Sequence, residues 1–339
     1  IRDLVRRGVR FARDDHGALR FTREGAHSRP RILFHEDITG HEITQTLLNE
    51  VLRCENIELR EHTTLLDFFA DASACGGVIA AGPDGEPRAI GAGAVVLACG
   101  GIGGLYKNST NFPHITGDAI AMALRHGVAC EHLDYIQIHP TTLYSHRKGR
   151  RFLISESVRG EGALLLDKNG NRFTNELQPR DVVSAAIRAQ MEKDSTDHVW
   201  EDMRPIGEAA IREHFPNILE RCEEEGYDPI HEPIPVVPAQ HYFMGGITAD
   251  LSSRTALPRL YACGETCCNG VHGRNRLASN SLLESLVFAQ RAADDILYGE
   301  PPVFTGDKPD LAPYREQEPL FAAYRQEVLT AIERSKNHE

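Results

Sequence analysis

The sequence predicts an α/β fold, and three observations carry that prediction. Two apolar runs, AGAVVLACGG (92–101) and ALPRLYACGE (256–265), read as buried strands that end in glycine or Gly-Glu. Segments with apolar residues at helical spacing lie between and after the strand-like ones, the longest from about 281 to 297. No apolar run approaches the ~20 residues of a membrane span, and no repeat or low-complexity tract interrupts the alternation.

Taken in order, HEITQTLLNEVLRC (41–54) has helical spacing. Residues 56–98 turn strand-like through NIELREHTTLLDFFAD, GGVIAAG, the turn GPDGEP and the run ending at Cys99-Gly100. TGDAIAMALRHG (116–127) is a helix closed by Gly127. The character changes near residue 130: DYIQIHPTTLYSH precedes a polar stretch whose Asn169-Gly170 marks a hairpin turn. RDVVSAAIRAQMEK (180–193) is a helix with Val183, Ile187 and Met191 on one face. The last forty residues read as the start of a helical region.

The 339 residues are 41% hydrophobic and 25% charged, with room for two or three domains. A formal net charge of -12 argues against nonspecific nucleic-acid binding, so a small anionic ligand would need a local basic pocket. The eight cysteines form no C-x-x-C, which predicts reduced cytoplasmic thiols and no metal site. The chain opens at Ile1 without a Met and reads as the middle of a domain, so a piece of a longer protein is expected. Nothing in its first residues reads as a signal peptide.

The stretch HGRNRLASNSLLES (272–285) raises a chemical question: Arg274 and Arg276 lead into a helix start, where the peptide dipoles disfavour cations. Ser281 and Glu284 fit the S-x-x-E capping box, and Leu282, Leu286, Ala289, Ala293 and Ile296 predict a core-facing stripe. A helix start beginning at Asn280 and Ser281 is an anion site. Beside two glycine-ended strands it suggests a dinucleotide lying across the sheet. The G-x-G-x-x-G fingerprint that should accompany it is not found; GAGAVV, GGIGGLY and GEGALL all fail the spacing. In SESVRGEG (155–162), Glu156 and Arg159 stand three apart and can pair on one helical turn. ELQPRD puts Arg180, a second cation, at a helix start, while IQIHPT and PAQHYFMGG contribute His139 and His241. Each histidine alone would more often be a core residue. Together with forked arginine–carboxylate bonds they suggest a pocket for a dicarboxylate.

Five segments, SVRGEGALL, ELQPRDVV, PVVPAQHYFMGGI, LYACGE and GVHGRNRLASNSLLES, resemble the L-aspartate oxidase family, a relative of the flavoprotein subunits of succinate dehydrogenase and fumarate reductase. FTREGAHSRPRI (21–32) resembles the oxidase branch, and the resemblance runs from residue 1 to about 298. It implies an FAD-binding Rossmann-like domain (1–132 and 243–298) interrupted by an α+β capping domain (133–242), then the start of a C-terminal helical region (299–339). The chain departs from the family in three places. The N-terminal strand–glycine loop–helix for the FAD pyrophosphate and most of the helical tail are missing, and NRFTNELQPRD looks several residues short.

The resemblance implies non-covalent FAD and oxidation of L-aspartate to iminosuccinate, with oxygen or fumarate reoxidising the flavin, as the first step of NAD biosynthesis. It also implies a cytoplasmic setting and a functional link to quinolinate synthase. His139, His241, Arg276 and Ser155 would hold the carboxylates, Arg180 would carry the proton in the fumarate-reducing direction, and Glu156 and Arg159 would stand with it. Glu24 would read the substrate ammonium, since a carboxylate there would be left unpaired against succinate. Asp118, Glu265, Asn280, Ser281 and Leu282 would contact FAD, and Arg274 would be a surface charge. The alternatives are a succinate dehydrogenase or fumarate reductase-type flavoprotein, and an inactive fragment unable to hold FAD.

Overall fold

The computed structural model describes residues 1–23 and 27–336. The first half of the chain forms α1 (Arg2–Arg6), α2 (Thr39–Val51), β1 (Thr64–Ala70), β2 (Cys75–Ala81), β3 (Pro87–Gly91), β4 (Val95–Leu97), α3 (Asp118–Arg125), β5 (Cys130–Glu131), β6 (Ile136–Leu143), α4 (Glu156–Gly160) and β7 (Leu164–Leu166). The second half forms α5 (Arg180–Asp194), β8 (Val199–Asp202), α6 (Glu208–His214), α7 (Pro216–Glu224), β9 (Ile234–Phe243), β10 (Gly246–Thr248), β11 (Leu260–Ala262), β12 (Cys267–Cys268), α8 (Asn280–Tyr298) and α9 (Gln317–Lys336). Helices and strands are mixed along the chain, as the α/β prediction requires.

The elements gather into two compact units, each drawn from separated stretches. Residues 1–59, 138–239 and 277–279 form the first, and 60–137, 240–276 and 280–339 the second. The first 59 residues therefore cluster with the segment that the resemblance reads as the cap.

The first unit is built on a four-stranded sheet of order β6-β9-β8-β7. Val199, Val236, Ile234 and Leu165 from its strands meet Val183 and Ile187 of α5 and Ile218 and Cys222 of α7 in one apolar core. The spacing of α5 explains its seat: Arg180, Val183, Ser184, Ile187, Gln190 and Asp194 fall on the buried face. Asn169-Gly170 makes the predicted turn after β7, with Gly170 at φ 81° and the Asp167 carbonyl accepting from its N–H. Asp37, far away in sequence, accepts from the Ile218 N–H at 2.9 Å and from Asn217 at 2.5 Å, satisfying the start of α7.

The second unit holds an antiparallel sheet β1-β2-β3, a sheet β12-β10-β5, and a parallel pair in which Leu260, Tyr261 and Ala262 of β11 lie opposite Val95, Val96 and Leu97 of β4. The expected strand character of 56–63 is not realised; β1 begins at Thr64, beyond the charged LREH stretch. In α3, five consecutive residues from Ala119 to Ala123 are buried, more than one full turn, so the middle of this helix sits inside the core. The final segment docks here too. Tyr324, Val328 and Ile332 of α9 are buried, and the Tyr324 hydroxyl donates to the Leu66 carbonyl at 2.8 Å.

Glycines near 100 and 245 are set by close backbone approach. A Cβ on Gly104 would lie 2.2 Å from the Pro113 carbonyl oxygen, and one on Gly245 2.0 Å from the His132 carbonyl oxygen. These glycines serve internal packing, which periodicity cannot distinguish from making room for a ligand.

Candidate active site

The predicted site residues fall on both units, and each unit carries a buried charged cluster. In the first, Ser155 caps α4, its Oγ accepting from the Ser157 N–H at 3.3 Å. The next turn buries Glu156 and Arg159. The expected Glu156–Arg159 pair does not form. Glu156 Oε2 instead lies 2.6 Å from both Nε and Nη2 of Arg180. The reason is positional: Arg180 opens α5, where the helix dipole opposes its charge, and a carboxylate from another element offsets that. Arg159 turns the other way, and its Nη1 donates to the Glu176 carbonyl at 2.8 Å. Burial holds the Arg159 guanidinium below its usual range, against the pull of Glu156 and Glu201. The Glu176 carboxylate accepts from Arg172 at 2.6 Å and from the Leu165 N–H at 2.9 Å. His139, fully buried on β6, has Nδ1 2.9 Å from the Thr141 carbonyl oxygen.

In the second unit, Arg276 is buried, with its guanidinium over the Tyr242 ring at 4.7 Å and Nη1 donating to Ser281 Oγ at 3.2 Å. Gln137 fixes the backbone here by donating to the Arg276 carbonyl at 2.7 Å and to Asn275 at 2.9 Å. His241 lies half-buried with Nδ1 2.8 Å from Thr110 Oγ1. Glu265 follows β11 and accepts from the Phe243 N–H at 2.9 Å; burial pushes its carboxyl up to about 7. Burial likewise raises Asp118 at the start of α3, against a 2.7 Å hydrogen bond from the Thr116 hydroxyl. Arg274 is exposed and lies over Tyr135 at 5.2 Å.

Two predictions about α8 are corrected. The helix begins at Asn280, so Ser281 is its second residue, and Glu284 accepts from Asn269 instead of completing a capping box. The buried face is Glu284, Phe288 and Ala292, while Leu282 is exposed, as are Ala289 and Ala293. Glu284 was available to the capping box on spacing alone, but the Asn269 amide takes it. Glu24 lies outside the described residues.

Tyr242, Gln137, Glu176 and Glu201 were missed by the sequence reading. Tyr242 and Gln137 had a faint signal, since each lies within a few residues of a predicted site histidine. Glu131, His132 and Cys268 bring ligand atoms within 4.8 Å of one another, but burial raises the Cys268 thiol and Glu131 raises it further, which opposes a metal-binding thiolate.

Residues 1–282 match the family model described as FAD binding domain. The fold and that match define the class: an FAD-binding α/β flavoprotein. The residues present suit this cofactor. β4 and β11 run parallel and end side by side, the position at which open α/β sheets take ligands. A Cβ on Gly101, just past β4, would stand 2.5 Å from Glu265 Oε1, so the glycine leaves the carboxyl room beside the strand end. The chain is 50% identical over 297 residues to an L-aspartate oxidase of Clostridium perfringens, covering 87% of this chain and 67% of that protein. It is 45% identical over 348 residues to an L-aspartate oxidase of a Nostoc species, covering 97% and 60%. Among solved structures it resembles the FrdA chain of an E. coli quinol fumarate reductase variant, with TM-score 0.81 and 32% identity over 96% of this chain and 58% of that one. The chain belongs to the L-aspartate oxidase family. It spans 53 to 68% of the length of the first four curated relatives.

Proposed function

We propose that the protein oxidises L-aspartate to iminosuccinate with FAD, and that oxygen or fumarate takes the electrons. In bound form, FAD supplies the hydride chemistry; the protein binds, orients and moves protons. His139, Ser155, His241 and Arg276 hold the two carboxylates. Arg180 gives up the proton when fumarate is reduced, an unusual duty for a group with a normal pKa above ~12. Glu156 holds that guanidinium in place, and Arg159 stands with the pair. Glu24 accepts from the substrate ammonium. Asp118, Glu265, Asn280, Ser281 and Leu282 would hold the cofactor, Glu265 as an acceptor for its hydroxyls and the start of α8 as a place that favours negative charge.

The observation that carries this reading is the buried Glu156–Arg180 pair at 2.6 Å. It fixes a guanidinium at a helix start in a family whose relatives are L-aspartate oxidases at 50 and 45% identity. The proposal extends to a cytoplasmic setting, a place at the start of NAD biosynthesis and a functional link to quinolinate synthase. No helix among the described residues is long and apolar enough to cross a membrane. The test is aspartate-dependent hydrogen peroxide formation by the FAD-loaded protein, beside fumarate reduction and succinate oxidation. Succinate oxidation without aspartate oxidation would assign the chain to the dehydrogenase branch. Glu24→Gln is expected to reduce aspartate turnover at least tenfold more than fumarate reduction, because only aspartate brings an ammonium; equal losses would remove Glu24 from this role.

A further inference from the structure

A carboxyl group stands where the core of the first unit calls for an apolar side chain. Strand residues two apart share a face, and Val199 and Glu201 of β8 are both buried, Glu201 completely at 0% exposure. Glu201 lies opposite Leu165 of β7 and Ile234 of β9, and both of these neighbours are also fully buried. Neither carboxylate oxygen of Glu201 has a hydrogen-bond partner among the described residues. A charge so placed costs several kcal/mol, so the group keeps its proton well above the usual carboxylate range. Burial is the largest cause, pushing it up to about 8; Arg159 pulls it down and Glu176 pushes it up.

The groups facing Glu201 are Arg159 from α4, Glu176 from the segment before α5, and Cys222 from α7, whose thiol burial and Glu201 both raise. Arg159 spends Nη1 on the Glu176 carbonyl, while its Nε and Nη2 have no hydrogen-bond partner among the described residues. Those two donors lie on one edge of the guanidinium, the edge that matches the two oxygens of a carboxylate. Arg159 also interacts with Glu156 and Arg180, and Glu156 holds Arg180.

We infer that Glu201 is a proton-holding positioning residue that sets the charge balance of the Arg159–Glu156–Arg180 array and so limits proton delivery at alkaline pH. With its proton on, Glu201 leaves the Arg159 charge unbalanced, and that charge acts through space on Glu156 and against the like charge of Arg180. Once the proton has left to solvent, the carboxylate takes the open edge of Arg159 and offsets its charge, the repulsion between Arg159 and Arg180 falls, and the Arg180 proton is held more tightly. The inference rests on the assignment of proton delivery to Arg180.

The test compares FAD-loaded wild type with Glu201→Gln, which keeps shape and removes the ionisation. The rate of fumarate reduction at saturating fumarate, driven by an artificial electron donor, is followed from pH 6 to 10. The wild type is expected to lose about tenfold per pH unit above a bend near the Glu201 value of about 8, and the variant is expected to show no bend there. A bend that persists unchanged in Glu201→Gln overturns the proposal. Unfolding gives a second readout independent of turnover. An acid whose folded pKa lies above its unfolded value of 4.5 destabilises progressively from there up to about 8, then by a constant amount. The midpoint advantage of Glu201→Gln should therefore grow between pH 5 and 8 and level off beyond. A difference that does not change with pH overturns the proton-holding role, whereas absent fumarate turnover with a growing difference refutes only the assignment of Arg180.

Discussion

At the scale of single residues, the buried charge of Arg180 is met by a carboxylate. Arg180 is held through two nitrogens on one Glu156 oxygen, a geometry a lysine cannot copy. Arg180→Lys should lower kcat for fumarate reduction on the order of 10²-fold or more, with a smaller change in KM, because misplacement by about 1 Å already costs that much. A second residue-scale prediction concerns Glu42, whose carboxyl the Arg10 hydrogen bonds hold down to about 2. Its folded pKa lies below the unfolded value of 4.5, so the stabilisation is present above about 4.5 and is lost as pH falls toward 2. Glu42→Gln should flatten the fall in thermal midpoint between pH 5 and 2 relative to wild type. What the sequence could reveal at this scale depended on the residue. Arg180 and Arg276 were legible because a cation at a helix start is a visible anomaly. Glu201 was not: one glutamate in VWEDM carries no sign that it faces a core, and its neighbours Leu165 and Ile234 come from distant parts of the chain.

At the scale of elements, long periodic segments were readable and their partners were not. The stripe of α5 follows the apolar spacing and was predicted correctly for Val183 and Ile187. The stripe of α8 was misread because its buried face includes Glu284, satisfied by Asn269, while several leucines face outward. The start of α7 shows why caps are hard to see in advance, since Asp37 serves it from some 180 positions away. Asp37→Ala should destabilise the protein by about 1–2 kcal/mol in urea titrations, as expected for a lost helix cap with a buried donor left over. Asp37→Asn, which keeps an acceptor, should cost less. A loss below about 0.3 kcal/mol for the alanine variant would mean that α7 does not depend on this contact.

At the scale of the molecule, α/β character was legible from the glycine-ended strands and the helical spacing between them, and the FAD-binding class from the family resemblance. The way the chain shares its residues between two cores was not, because no local pattern records which distant segments meet. A cofactor that binds only the folded state stabilises by mass action, about 2.7 kcal/mol at one hundred times its Kd. The thermal midpoint should therefore rise with added FAD. Gly101→Ala, whose new methyl would stand 2.5 Å from Glu265 Oε1, should lose most of that rise while the midpoint without FAD changes less. An undiminished rise in the variant would remove Glu265 from the cofactor site.

The first 59 residues pack with a segment that ends at residue 239, and the chain passes from one unit to the other several times. On a ribosome, this means that the opening helices emerge long before their partners exist. At a synthesis rate of about 5–20 residues per second, the wait for the remaining 180 positions is roughly 10 to 40 s. Over that interval the Asp37 carboxylate has neither the Asn217 amide nor the Ile218 N–H that it meets in the finished protein. Nascent chains stalled before residue 218 has cleared the exit tunnel should accordingly leave the segment 35–40 open to limited proteolysis, and longer ones should protect it.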